Sequence, residues 1–409
     1  MKTIGIILLL LVYVSEAALG RTAENNMRHN RLARKSNSRV GSVKVINYQF
    51  HDKFNRSLEG LFLKVTKAWE ERTCIKFEKK VGDRNAILVR GNQIEDYDCS
   101  FTPNPRGGDH WLSIGCGYFG GAAHEVGHAL GLAHTHSRYD RNAYVEVDWN
   151  NVKKEFDNQY QDWNQQDYEG QNYKKEYGTN LTKEKDHYGV PYDYGSIMHY
   201  GTNDENPPLI PTDVDHKRTM GSQFISFTDL LEVNTRHNCI EKCPTDDERT
   251  VTCEYEGFPN PKNCSVCVCP SGYGGQSCGE MPDDCGQELI AKDEWQSMVL
   301  NISSPRNSSE YFICTSWIKS APNTTIQIEI EGISDNLKTY GCGYAAVEIK
   351  TQADQRLTGY RFCSKDDAGK LLKSNSTLVP IITYSMTTAP LNVTLKYQSV
   401  RTNGSVRQA

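Results

Sequence analysis

The chain has 409 residues, with 46 Lys and Arg set against 51 Asp and Glu, a formal net charge of −5 and a sequence pI near 6.1. That balance excludes a basic nucleic-acid footprint, and the length allows two or three domains, one of them with a large core. Its 14 cysteines, an even number concentrated from Cys239 onward, point to an oxidising compartment and a framework of disulfides.

Met1 to Val14 carries one lysine and then an apolar run from Ile4, with small residues following at Ser15, Ala17, Ala18 and Gly20. The run is too short to cross a bilayer, which takes about 20 apolar residues. It reads as a secretory signal over residues 1–17, cut after Ala17 or Gly20. No later stretch is long and apolar enough for a membrane anchor, so a soluble, secreted, extracellular product is expected. Residues 18–39 are basic and poor in apolar side chains, with Arg21, Arg28, Arg31, Arg34, Lys35 and Arg39. They cannot build a core. Arg31-Leu-Ala-Arg34 resembles a processing site, which makes this stretch a short prosegment; the alternative is a basic tail that is never cut. Asn-x-Ser/Thr sequons at Asn55, Asn180, Asn263, Asn301, Asn307, Asn323, Asn375, Asn392 and Asn403 suit a secreted glycoprotein.

From Val43 the pattern becomes that of a folded domain. A β-prone run over Val43–Tyr48 predicts a strand, and Leu58, Leu61, Phe62, Val65 and Trp69 at helical spacing predict a long amphipathic helix. Ala86–Val89 reads as a short buried strand. Cys99 and Cys116 flank a turn-rich stretch that predicts a disulfide-tied hairpin or loop. His-Glu-Val-Gly-His-Ala-Leu-Gly-Leu-Ala-His follows, from His124 to His134. On a helix His124 and His128 share a face and can grip one metal ion, while Glu125 can reach a metal-bound water. Gly131 lies where a helix ends in a left-handed residue, so the chain can swing His134 back to the metal. Three imidazoles leave a fourth position open, the mark of a catalytic zinc site. Incidental histidines on an amphipathic helix would have to match at Gly131 and His134 as well. Beyond it Trp149, Val152, Phe156, Tyr160 and Trp163 keep helical spacing and read as core.

Ser196-Ile-Met198-His-Tyr200 supplies a methionine-containing turn. With the zinc motif, Arg138-Tyr-Asp140-Arg141 and Tyr192-Asp-Tyr-Gly-Ser, it makes the stretch from Val43 to Cys243 resemble the astacin family of zinc endopeptidases, within the metzincins. The resemblance implies an α+β catalytic domain over 40–242, with an N-terminal sheet lobe, an active-site helix and a C-terminal lobe. It implies one Zn2+ on His124, His128 and His134, and Glu125 as the group that polarises the water and shuttles its proton. Met198 is then the floor beneath the metal, and Tyr200 a displaceable ligand that swings to meet the oxyanion. Arg138, Asp140 and Arg141 are expected to form a structural ion-pair set, and His136, His187, His199, His216 and His237 to be packing or surface residues. Two features depart from the family. Thr135 stands where most relatives have a glutamate tied to the mature N-terminus, and the prosegment lacks the Phe-x-Gly-Asp element that blocks zinc in many zymogens.

Residues 243–279 resemble an EGF-like module, carried by Cys267-x-Cys269, Cys278 and Gly272-Tyr-Gly-Gly275. A four-cysteine metal site at Cys264, Cys267, Cys269 and Cys278 is the competing reading, disfavoured by an oxidising compartment. Residues 285–400, with Cys314-Thr-Ser-Trp317 and Cys342-Gly-Tyr344, resemble an all-β CUB sandwich, and a tail follows at 401–409. That family's calcium-binding aspartate is Ala345 here. Spacing and the family patterns together suggest disulfides Cys74–Cys239, Cys99–Cys116, Cys243–Cys264, Cys253–Cys267, Cys269–Cys278, Cys285–Cys314 and Cys342–Cys363. The whole arrangement resembles the nematode astacins. It predicts a secreted zinc endopeptidase acting on extracellular or matrix proteins, with the EGF-like and CUB modules as candidate protein-binding surfaces and no nucleic-acid partner. The alternative is a catalytically silent adhesion or binding protein built on the same scaffold.

Overall fold

The computed structural model describes residues 43–91, 98–104, 110–159, 173–179, 187–282, 285–307 and 310–401. The signal and prosegment readings, the helical continuation at Tyr160 and Trp163, and the sequons at Asn180 and Asn403 lie outside the described residues. By contacts the chain divides into two compact units, residues 1–131 and 132–409.

In the first unit the β-branched and aromatic residues of Lys44–Phe50 form β1, followed by β2 (Ile75–Lys79), β3 (Ile87–Arg90), β4 (Cys99–Thr102) and β5 (His110–Ile114). They make one sheet in the order β2-β1-β3-β5-β4, parallel throughout except that β4 runs antiparallel to β5. Between β1 and β2 the chain crosses over through α1 (Glu59–Glu71), as parallel neighbours require. Asn55 starts this crossover, its Oδ1 accepting from Ser57 N at 3.1 Å. Phe62, Val65, Thr66 and Trp69 on one face of α1 are buried. Burial of Phe62 and Val65 is worth about 1.5–3 kcal/mol each. Trp69 Nε1 donates to Ala123 O at 3.2 Å and so ties α1 to α2 (Phe119–Ala129). The first turns of α2 are Gly120, Gly121, Ala122 and Ala123, all buried, and their small size lets the helix backbone lie close to its neighbours.

The second unit begins with the continuation of the peptidase-like region. Here β6 (Val145–Val147) pairs antiparallel with β7 (Leu209–Pro211), helices α3 (Trp149–Gln159), α4 (Tyr173–Glu176) and α5 (Phe227–Arg236) follow β6 in the chain, and Val145, Val152, Tyr177, Tyr192, Tyr194, Leu209 and Met220 form a core. Trp149, expected in the core, is 39% exposed: it is the first residue of α3 and turns outward, while Val152 and Phe156 on the inner face are buried. A full capping box starts α5, with Ser226 Oγ accepting from Asp229 N at 3.1 Å and Asp229 Oδ2 from Ser226 N at 2.8 Å.

Next come a small hairpin, β8 (Phe258–Asn260) with β9 (Asn263–Val268), and a two-sheet sandwich. The sandwich strands are β10 (Glu288–Ile290), β11 (Gln296–Ile302), β12 (Phe312–Lys319), β13 (Thr324–Ile333), β14 (Ala345–Ile349), β15 (Tyr360–Phe362), β16 (Leu371–Lys373), β17 (Leu378–Ser385) and β18 (Leu391–Arg401). One sheet runs β10-β12-β17-β14-β15 and the other β11-β18-β13-β16. Period-two alternation turns Ile326, Ile328 and Ile330 of β13 into the core between the sheets. On the outer face of the second sheet Asn301 and Asn392 are register partners on adjacent strands. The hairpin module is gripped by the sandwich: Trp317 Nε1 donates to Gly272 O at 2.8 Å, and the fully buried Lys350 donates to Ser271 O at 2.9 Å and Gln355 O at 2.7 Å.

Candidate metal centre and active site

Helix α2 carries His124 and Glu125 on consecutive positions and His128 one turn on, with the His124 and His128 rings 4.7 Å apart. It ends where Gly131 N donates to His128 O at 2.9 Å and Gly131 takes φ +95°, a left-handed conformation that a side chain would strain. That turn redirects the chain within three residues. The ligand atoms of His124, His128 and His134 consequently all lie within 4.8 Å of one another. Glu125 is fully buried; the Phe101 backbone amide approaches its carboxylate, and neither oxygen is held in a full hydrogen bond by the described residues. Burial, reinforced by the charge of Asp98, holds its pKa well above the usual carboxylate range. A buried carboxylate without a full hydrogen bond is costly. Three convergent imidazoles with such a group beside them fit the donor set of a catalytic zinc, with an open position where polar groups could satisfy Glu125.

Met198 is buried at 1% exposure in a tight turn where Ser196 N donates to Asp193 O at 3.2 Å and His199 N to Ser196 O at 3.0 Å. The turn is bound to the segment after His134: Thr135 N donates to Met198 O at 3.0 Å and Thr135 Oγ1 to Ser196 Oγ at 2.9 Å. Ser196 Oγ in turn donates to Asp229 Oδ1 at 2.5 Å, and Asp229 Oδ2 takes the Ile197 amide at 2.9 Å. Burial raises the Asp229 carboxyl to about 6 against these donors. Tyr200 packs its ring 4.5 Å from that of His134 and 4.1 Å from that of His136. His199, pushed down to about 4 by burial, stays neutral at physiological pH between Tyr192 Oη and Tyr200 O, both at 2.7 Å. Arg138 pairs with Asp140 at 2.8 Å and donates to Val190 O, and Arg141 donates to His136 O and Tyr177 O.

The model of the astacin peptidase family matches residues 33–181 and 170–238. The chain belongs to the astacin family. Among curated relatives it is similar to zinc metalloproteinase nas-31 of Caenorhabditis elegans, 36% identical over 339 residues, which are 81% of this chain and 52% of that protein. It is also similar to zinc metalloproteinase nas-25 of the same nematode, 32% identical over 80% of this chain and 79% of that protein. The chain thus spans about half the length of nas-31 and most of nas-25. Among solved structures it is similar to high choriolytic enzyme 1, a hatching enzyme zinc-protease from the medaka fish Oryzias latipes, at 26% identity. That likeness covers 48% of this chain and 90% of the fish enzyme, with a TM-score of 0.39.

In this astacin Thr135 does more than replace a glutamate, since its amide and hydroxyl both hold the Met198 turn. Asp193 and Asp229, which sequence reasoning passed over, are the buried acceptors around which that turn is built. A signal existed for Asp193, inside Tyr192-Asp-Tyr-Gly-Ser, but none for Asp229, which reads as an ordinary residue of an amphipathic helix. Disulfides close Cys99–Cys116, Cys243–Cys264, Cys253–Cys267, Cys269–Cys278, Cys285–Cys314 and Cys342–Cys363, and Cys74 and Cys239 are each disulfide-bonded as well. Cys264, Cys267, Cys269 and Cys278 are therefore spent in disulfides rather than in a metal site. Asn55 lies partly buried, and Asn263, Asn301, Asn307, Asn323, Asn375 and Asn392 are exposed.

Proposed function

We propose that the chain is a secreted zinc endopeptidase that hydrolyses peptide bonds of extracellular proteins. A signal at 1–17, a prosegment at 18–39 and a peptidase domain over 40–242 would be followed by an EGF-like module at 243–279 and a CUB-like domain at 285–400. The observation that carries the reading is the buried Glu125 carboxylate, without a full hydrogen bond from the described residues, within the His124–His128–His134 stretch. These three imidazoles would hold the zinc, which when bound supplies a Lewis acid that polarises the scissile carbonyl and acidifies water. Glu125 then takes a proton from the attacking water on its carboxylate and hands it to the leaving amide nitrogen. The Tyr200 hydroxyl donates to the oxygen on which negative charge develops. The paired cysteines and the exposed sequons support an extracellular setting.

Glu125→Ala separates this reading from a silent binding protein. Zinc content by mass spectrometry should stay at one per chain while turnover of casein or gelatin falls about 10²- to 10⁴-fold, with the loss in kcat. A processed wild type that carries zinc and cleaves nothing at saturating substrate would make the binding-protein reading the better one. Where the wild type cleaves, sequencing the new termini left on matrix proteins would define the substrate class.

A further inference from the structure

Within the second unit the sandwich is seated on the segment that forms the Met198 turn, and its contacts there are backbone-close. Thr358, in the connection between β14 and β15, donates from its amide to Asp193 Oδ1 at 3.2 Å and from Oγ1 to Asp193 Oδ2 at 3.0 Å. The peptidase region itself supplies two further donors to this fully buried carboxylate, Gly195 N at 2.9 Å and Thr228 Oγ1 at 2.8 Å. The sandwich therefore matches the peptidase region donor for donor at Asp193. The fit leaves no slack: a Cβ added to Gly195 would lie 2.4 Å from the Thr358 side chain.

Two more contacts brace the same region. A Cβ on Gly341 would fall 2.1 Å from Gly221 O, and one on Gly221 would fall 2.9 Å from the Cα of Gly201, the residue after Tyr200. The three glycines thus stack backbone against backbone, from the sandwich to the neighbour of Tyr200. Arg361 of β15, paired with Glu348 at 2.9 Å, donates to Ser222 Oγ at 2.8 Å and from its amide to Thr219 Oγ1 at 3.2 Å. His216 is stacked between Tyr194 and Tyr360, with centroids 4.2 and 4.3 Å away.

We propose that Thr358 is a positioning residue for the peptidase: acting through Asp193, it sets the Met198 turn and the backbone that carries Tyr200. The sandwich is then part of the active-site scaffold as well as a candidate binding module. The effect on turnover rests on the zinc-endopeptidase reading, whereas the effect on the turn does not. A catalytic group displaced by a fraction of an ångström costs rate without loosening substrate, so the signature is a fall in kcat at constant KM.

The test uses the full processed chain. Thr358→Val keeps the shape and removes the Oγ1 donor, and Thr358→Ser restores it. The valine variant should bind one zinc, lose roughly 3- to 10-fold in kcat with KM within about twofold of wild type, and exchange the amides of residues 193–201 about tenfold faster. The serine variant should return both quantities to within about twofold. Should Thr358→Val fail to fold, Ser222→Ala, which takes the acceptor from Arg361, is expected to move kcat and exchange in the same direction. A folded variant with wild-type kcat and wild-type exchange at residues 193–201 overturns the proposal, as does a valine defect that serine does not rescue. If wild type cleaves nothing, the function is refuted, and the exchange measurement alone decides whether Thr358 orders the turn.

Discussion

Glu125 and Tyr200 are assigned different halves of the chemistry, so their losses should differ in kind. Tyr200→Phe keeps the ring against His134 and His136 and removes only the hydroxyl. It is expected to lower the rate by roughly 10²- to 10³-fold, the usual cost of one oxyanion donor, with zinc content and thermal midpoint unchanged. A loss below about threefold in steady-state assays would remove the oxyanion role. His216 gives a prediction about acid. Burial between Tyr194 and Tyr360 pushes its pKa down to about 3, so the folded chain refuses a proton that the unfolded chain accepts near 6.5. Its contribution is full above pH 6.5 and is lost as pH falls toward 3, the loss amounting to about 2 kcal/mol at pH 5. His216→Phe preserves the stack and should flatten the fall of the thermal midpoint between pH 6.5 and 4.5. A variant that tracks wild type through that range would show that His216 does not resist protonation.

Among the elements, α2 and its exit decide whether the metal site forms. Gly131→Ala places a side chain at φ +95°. The strain is about 1 kcal/mol or more and falls on the turn that returns His134. The variant should bind zinc about tenfold or more weakly in a competition against a chelator, while α2 stays helical by circular dichroism. How much of this was legible beforehand follows from where the information lies. His124, Glu125, His128, Gly131 and His134 are local, and helical periodicity with one glycine was enough to place them. In the first sheet β1 and β3 were legible as the β-prone run over Val43–Tyr48 and the short apolar run over Ala86–Val89, whereas β2 was not read, and the sandwich was expected from its resemblance to a CUB domain. The support of the Met198 turn was not legible. Asp229 and Thr358 reach that segment across 32 and 165 residues of sequence, and hydrogen bonds between buried polar side chains leave no periodic trace. Trp149 was misplaced for a related reason: helical spacing gives a face, but the first residue of a helix need not follow that face inward.

At the scale of the molecule, the outer face of the β11–β18 sheet carries two sequons side by side, since Asn301 and Asn392 are exposed register partners. Glycans on both would crowd one face and leave the opposite sheet, through β14 and β15, free for the contacts with the peptidase region. Glycopeptide mapping should find both sites occupied. Asn301→Gln with Asn392→Gln should leave kcat within about twofold, because neither residue touches the Met198 turn. Unmodified asparagines at both positions in protein secreted from animal cells would remove this face as a glycan surface.

The strand order of the sandwich also sets a timetable. Its last strand, β18, is an inner strand that pairs with both β11 and β13. During synthesis the chain emerges N-terminal end first, at about 5–20 residues per second. His124 to Tyr200 is therefore complete well before residues 391–401 exist, while the sheet that must close behind Thr358 waits for them. A newborn chain would hold every zinc ligand and yet lack the support of its Met198 turn. Chains stopped at Pro390 should bind zinc but cleave casein at least tenfold more slowly than chains carried through Arg401. Equal rates from the two would mean that activity begins before the sandwich closes.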